Sequence, residues 1–321
     1  MLIGTDEDNV YHSFYNLERF GYLHNEFLKI KNVKYSGNEI IKKTASFISN
    51  KKNIYIDTSD GVNEDLKIQE YSGRIKRAII DSRGKPFVFF KSAYSSKWSK
   101  NIIELANNNN GKVIPFFKWS FNKNFYNQIF NNRSKILSKY KKNNKKYDIG
   151  VFFEKKDYRY PKASESDAYI SHSDHKTFGI PGFSRDTGYF INNSRSNLIN
   201  KLNNSKFKIL HTAVPYKEYI RKSFECKIII NPPGIGEYTS RMFDQTYLGN
   251  CIVLRKNSYD NGVSWKNYLP EVDFNDINWE NDLELLISNH KNQGDLCKKY
   301  FDNYWTPKSI LEYFMQSLNR N

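Results

Sequence analysis

The chain is poor in sulfur and in chain breakers: 321 residues hold three Cys, three Met and nine Pro. The cysteines, Cys226, Cys251 and Cys297, are odd in number and lack CxxC spacing. That excludes a disulfide scaffold and fits a reducing compartment. No stretch approaches the roughly 18 consecutive apolar residues that a membrane-spanning helix needs. The first residues, MLIGTDEDNVYHSF, are acidic and lack the basic start and apolar run of a secretion signal. The expectation is a cytoplasmic protein with no membrane span. Acidic residues are the last scarcity, 34 against 50 basic, for a net charge of +16.

What is present is enough apolar material for a real core, 39% hydrophobic and 16% aromatic residues, in one large or two ordinary domains. The positive charge has a compositional origin. Lys supplies 38 of the basic residues and Asn another 39 of the chain, so much of the charge reads as solvated surface. The one dense basic run, Lys139 to Lys146, is short and reads as a linker. Twelve scattered Arg give no aromatic-interleaved platform, so no nucleic-acid partner is expected.

Apolar strands alternate with amphipathic segments along the chain. A helical pattern from about Ser36 (Ile40, Ile41, Ala45, Phe47, Ile48) leads into the strand NIYI, which stops at Asp57-Thr58-Ser59-Asp60-Gly61. Strands follow at Pro86–Phe90 and Lys112–Phe117, with a helix at Ser99–Ala106 between them. After the basic run the theme restarts, with strands at Tyr147–Phe153, Phe207–His211, Cys226–Ile230 and Cys251–Leu254. Helices are expected at Arg195–Leu202, Tyr216–Ser223, Ser240–Leu248, Asp282–Asn289 and Pro307–Leu318. Strands without polar alternation, spaced by helices, predict parallel sheets covered on both faces. The reading is α/β with two Rossmann-like domains facing a cleft, residues 1–145 and 146–321, the last helix returning to the first domain.

Ile228 to Leu254 carries the clearest chemistry. A strand runs into Asn231-Pro232-Pro233-Gly234-Ile235-Gly236, then into a helix capped at Thr239 or Ser240. Gly234 and Gly236 let backbone approach a ligand, and a helix start offers free N–H groups to an anion. Arg241 adds a guanidinium suited to a diphosphate, and Asp244 follows one turn later, within reach of a sugar hydroxyl. Read blandly, the same residues make a strand-to-helix turn with a surface ion pair between Arg241 and Asp244.

This stretch resembles the donor-binding half of GT-B glycosyltransferases, and looks most like the exostosin-like family. The matching positions are Arg241, Asp244 where that family has Glu, Gly249, Cys251 and Leu269-Pro270; Asn250 separates Gly249 from Cys251. Tyr238-Thr239 before the helix also looks like fucosyltransferase-type enzymes. The likeness covers about residues 147 to 275. It implies sugar transfer, inverting and without metal or other cofactor, from a nucleotide-diphosphate donor to a glycan or glycoprotein acceptor. Donor-binding residues would be Gly234, Gly236, Tyr238, Thr239, Ser240, Arg241, Asp244 and Arg255.

For the catalytic base, Asp57 and Asp60 stand at the carboxyl end of the NIYI strand, where open α/β sheets place functional groups. They also suit an ordinary turn. His172, His175, Lys176 and Arg185 follow the first strand of the second half and are candidate cleft contacts. His172 and His175 around Asp174 make a weak metal pattern, and no metal is expected. The alternative reading is a non-catalytic or nucleic-acid-binding basic protein on the same fold.

Overall fold

The computed structural model describes residues 3–4, 33–35, 44–49, 53–57, 72–91, 94, 100–115, 129–153, 185–231, 240–256 and 267–306, with 309, 312–313 and 316–317. Strands in the first half are β1 (Ile3–Gly4), β2 (Val33–Tyr35), β3 (Thr44–Ser49), β4 (Asn53–Asp57), β5 (Phe87–Lys91) and β6 (Gly111–Pro115). They form one sheet in the order β1-β3-β4-β5-β6, with β2 also on β3. Helices α1 (Ser72–Ser82) and α2 (Lys100–Asn107) connect the parallel run β4-β5-β6. Ile75 and Ala78 of α1 and Ile102 and Ala106 of α2 pack on Tyr55, Phe87 and Phe89.

One expected element is different. Residues 44–49 are strand, not helix: β3 pairs antiparallel with β4 from Thr44↔Asp57 to Ile48↔Asn53 and meets β1 and β2 on its other edge. The spacing of Ala45, Phe47 and Ile48 fits either period. Pairing on both edges decides the matter, helped by β-branched and aromatic residues that suit a pleated surface.

Helix α3 (Arg133–Tyr140) takes up the start of the expected linker. It docks on the second half through a hydrogen bond from Arg133 Nε to the Tyr247 carbonyl (2.9 Å) and ring contact of Tyr140 with Phe224.

The second sheet is built from β7 (Tyr147–Phe152), β8 (Ile209–Thr212), β9 (Cys226–Ile230), β10 (Cys251–Arg255) and β11 (Glu271–Val272). Its order is β11-β10-β9-β7-β8, all parallel. The chain winds outward to β8 and then back across β7 to β9, so the direction of winding reverses between β7 and β9. In open α/β sheets a crevice opens at the carboxyl ends of such strands.

Helices cover both faces. On one, α4 (Arg185–Asn203) and α7 (Trp279–Ser288) close over Ile149, Val151, Ile228, Ile230, Cys251 and Val253. On the other lie α5 (Tyr216–Ser223), α6 (Ser240–Leu248) and α8 (His290–Tyr300), which runs into a π-turn at Phe301–Trp305. Tyr313, in the C-terminal segment, donates to the Pro115 carbonyl at the end of β6 (2.8 Å), tying the chain end to the first sheet.

Candidate functional site

The crevice holds a cavity of about 530 Å³. That is the size of ordinary ligand pockets, roughly 300 to 1,000 Å³. Its walls are Phe152 and Phe153 at the end of β7, Thr212 to Pro215 after β8, Tyr216 and Tyr219 of α5, and Arg241 and Asp244 of α6.

Each wall has a local cause. Pro215, with φ −53° and ψ 149°, sets the entry to α5, and Glu218 in the first turn with Arg221 and Lys222 in the last complement the helix dipole. Tyr216 and Tyr219, three residues apart, share the face turned to the cavity, and Tyr219 makes an edge contact with Phe152 at 5.2 Å.

Helix α6 is anchored by Met242 and Phe243, both fully buried, with Phe243 on Trp305 at 4.4 Å. It ends at Gly249, whose φ of +76° favours glycine and lets Asn250 N–H bond back to the Gln245 carbonyl. Burying those two apolar side chains is worth about 1.5–3 kcal/mol each, enough to hold a helix that also buries polar groups on its cavity side.

Those polar groups are the distinctive feature. Asp244 is 0% exposed, and neither carboxyl oxygen finds a hydrogen-bond partner of good geometry among the described residues. The Tyr216 hydroxyl and Arg241 Nε are covered and unsatisfied in the same sense. Burial raises the Asp244 carboxyl to about 8, against the opposing pull of the nearby Tyr216 hydroxyl and the Arg241 charge. Burial likewise lowers Arg241, opposed by Tyr219 and Asp244. Tyr216 and Tyr219 are pushed upward, first by burial and next by Asp244. At neutral pH the cavity therefore offers a neutral acid, two phenols and one guanidinium. A carboxyl in that state donates one hydrogen bond and does not repel a phosphate.

Behind the wall runs a fixed polar chain. Asn250 Nδ2 donates to Gln245 Oε1 (2.6 Å), and Gln245 Nε2 donates to Tyr219 Oη (2.5 Å). Asn250 Nδ2 also reaches Ser223 Oγ at 3.4 Å, and Ser223 Oγ donates to the Ile220 carbonyl. The chain ties α5 to α6 and fixes the Tyr219 oxygen as an acceptor on its inner side, so its own proton is directed elsewhere.

Of the residues singled out in sequence, Arg241 and Asp244 come together on this cavity, Asp244 fully buried and Arg241 half-buried, rather than as a surface pair. Arg255, at the end of β10, lines a second, smaller cavity instead. Ser240 is the first residue of α6, Arg185 the first of α4, and Asp57 the last of β4, in register with Lys91 of β5. Asp60, His172, His175, Lys176, Gly234, Gly236, Tyr238 and Thr239 lie outside the described residues. Sequence reasoning passed over Tyr216, Tyr219, Gln245 and Asn250. The available signal was a proline followed by tyrosines at helical spacing, which 23 Tyr in the chain concealed.

No protein-family description matches the chain, and no curated protein matches it by sequence. Among solved structures it is similar to sucrose-phosphate synthase from Thermosynechococcus elongatus, at a TM-score of 0.44 and 10% identity over 83% of this chain and 67% of that one. It is also similar to Anabaena HepE in complex with UDP, at 0.40 and 10% identity over 84% and 79%. TarM gives 0.37 and 12% over 76% and 53%.

Proposed function

We propose that the chain is a glycosyltransferase of the GT-B kind that binds a nucleotide-diphosphate sugar in the 530 Å³ cavity. The observation that carries the reading is the pair Arg241 and Asp244. The first turns of a helix at the winding reversal deliver a guanidinium and a buried acid with no well-aligned partner among the described residues into one crevice at the carboxyl edge of a parallel sheet. Buried polar groups without partners are rare and cost about 1–3 kcal/mol each, so two or three on one cavity wall suit a ligand that completes them.

In this reading Arg241 neutralises the departing diphosphate, the charge that builds in the transition state. The neutral Asp244 donates to a ligand oxygen, and the Tyr216 and Tyr219 hydroxyls supply further donors. Gly234, Gly236 and their neighbours contribute backbone N–H groups and Asp57 or Asp60 of the first half the base for the acceptor hydroxyl. The acceptor is a glycan or another hydroxyl-bearing molecule. The family is exostosin-like, the transfer inverting and metal-independent, and the two halves act as separate domains.

Calorimetry with UDP, GDP and dTDP on the wild type and Arg241→Ala tests the core of the proposal. One nucleotide should bind the wild type, and the variant should lose roughly 100-fold in affinity with the fold intact by circular dichroism, the scale of losing one charged contact to phosphate. Equal affinity in the variant would refute donor binding at this site.

A further inference from the structure

A second cavity, of about 140 Å³, opens at the same carboxyl edge of the second sheet but on the face covered by α4. Its polar lining comes from four separate parts of the chain. Ser194, Asn197 and Lys201 stand at i, i+3 and i+7 of α4, one stripe of that helix; Asn231 follows β9, Arg255 ends β10, and Asn275 comes after β11. Leu198 and Phe274 supply the apolar remainder.

The chemistry of that lining has one sign. Two residues are cationic, four are neutral hydrogen-bonding side chains, and none is acidic among the described lining residues. Two acids neighbour the lining in sequence: Asp273 faces Lys256 at 3.5 Å and accepts from the Asn275 N–H, and Asp276 accepts from the Asn278 N–H. Lys201 Nζ donates to the Phe274 carbonyl at 2.6 Å, which fixes the ammonium at the mouth and uses one of its three N–H groups. Asn231 is only 3% exposed, an amide held inside at the point where the chain leaves β9.

Size narrows the ligand. A volume of 140 Å³, about a quarter of the larger cavity, suits one tetrahedral or planar oxyanion with its solvent. We infer that this cavity is a binding site for a compact oxyanion, a phosphoryl or carboxylate group held by Arg255 and Lys201 with Asn197, Asn231 and Ser194 as neutral donors. Arg255 and Asn231 already make contacts of their own, and the oxyanion takes N–H donors that remain on the guanidinium fork and the amides. The site is distinct from the Arg241 cavity, and it goes beyond the donor reading.

The test uses the full chain and two probes followed by NMR titration: inorganic phosphate for the phosphoryl source and glucuronate for the carboxylate source. Saturable millimolar binding of one probe is expected, weakened roughly tenfold or more by Arg255→Ala and by Lys201→Gln and unchanged by Arg241→Ala. The probe that binds identifies the source. Lys201 is exposed, so its variant keeps the question answerable should Arg255→Ala fail to fold. Saturation by neither probe, or binding that survives Lys201→Gln and disappears in Arg241→Ala, overturns the inference. Nucleotide binding measured alongside separates the two sites: loss of UDP, GDP or dTDP binding in Arg241→Ala with phosphate retained is a result about the larger cavity alone.

Discussion

Two fully buried ionisable residues, one in each half of the chain, make an instructive pair. Lys91 closes β5 and Asp244 sits in the second turn of α6; both are 0% exposed. Lys91 is engaged by its neighbours. Asp244 has two carboxyl oxygens without a well-aligned hydrogen-bond partner among the described residues, only the nearby Tyr216 hydroxyl and Arg241 charge, beside an open cavity. A buried polar group with its contacts made is a structural device, whereas one with unmet hydrogen bonds on a cavity wall weakens the empty protein and is kept for what enters. Burial alone therefore does not identify a site; burial with unmet hydrogen bonds and adjacent free volume does.

The largest effect that would sharpen this contrast is at Lys91. Lys91→Ala should destabilise the protein by about 2–4 kcal/mol in urea melts, because it leaves a cavity and strands whatever the ammonium engages. A neutral result would remove the structural role assigned to it. Next comes the polar chain behind the cavity. Asn250→Ala should cost about 1–3 kcal/mol by stranding the side-chain Oε1 of Gln245, and should also weaken nucleotide binding through the loosened Tyr219. Unchanged affinity would show that the chain serves stability only.

Asp244 should behave in the opposite sense to Lys91. Asp244→Asn should raise the melting temperature of the empty protein by about 3 °C at pH 8, since it replaces an acid that burial discourages from ionising. The sign with pH follows from the raised native value. The folded form holds its proton above pH 4, where an unfolded Asp has lost it, so the contribution to stability is present below about pH 4 and declines as pH rises to about 8. Diphosphate affinity should fall above about pH 8, where Asp244 ionises against the ligand, and Asp244→Asn should flatten both profiles. A wild-type melting curve series without that slope would contradict a protonated Asp244. The smallest effect belongs to the chain end: Tyr313→Phe removes the bond to Pro115 and should cost about 0.5–1.5 kcal/mol.

The second sheet was the more legible half. Helices 216–223 and 240–248 and the strand 226–230 have the bounds that their sequence patterns indicate. Apolar strand, proline or glycine punctuation and amphipathic helix agree there at every level. The first half holds the misreading at residues 44–49, where six residues carried too little periodicity to oppose a pairing partner that local spacing does not show. Within the site, Arg241 and Asp244 stood out because a charged pair after a glycine loop is unusual. Tyr216, Tyr219, Gln245 and Asn250 did not, since their importance arises from α5 meeting α6, a contact between segments about 25 residues apart.

Gly294 carries a consequence for any search for important residues. It lies in α8, lines neither cavity, and has no chemistry to offer, yet a methyl group there would stand 2.4 Å from the Gly249 carbonyl oxygen. Backbone rests on backbone at that spot, so an alanine must lever the end of α6 away from α8. The guanidinium at the other end of the same rigid rod would swing with it. A genetic screen for lost activity would thus recover this position among its hits, and the culprit would be geometry transmitted along a helix.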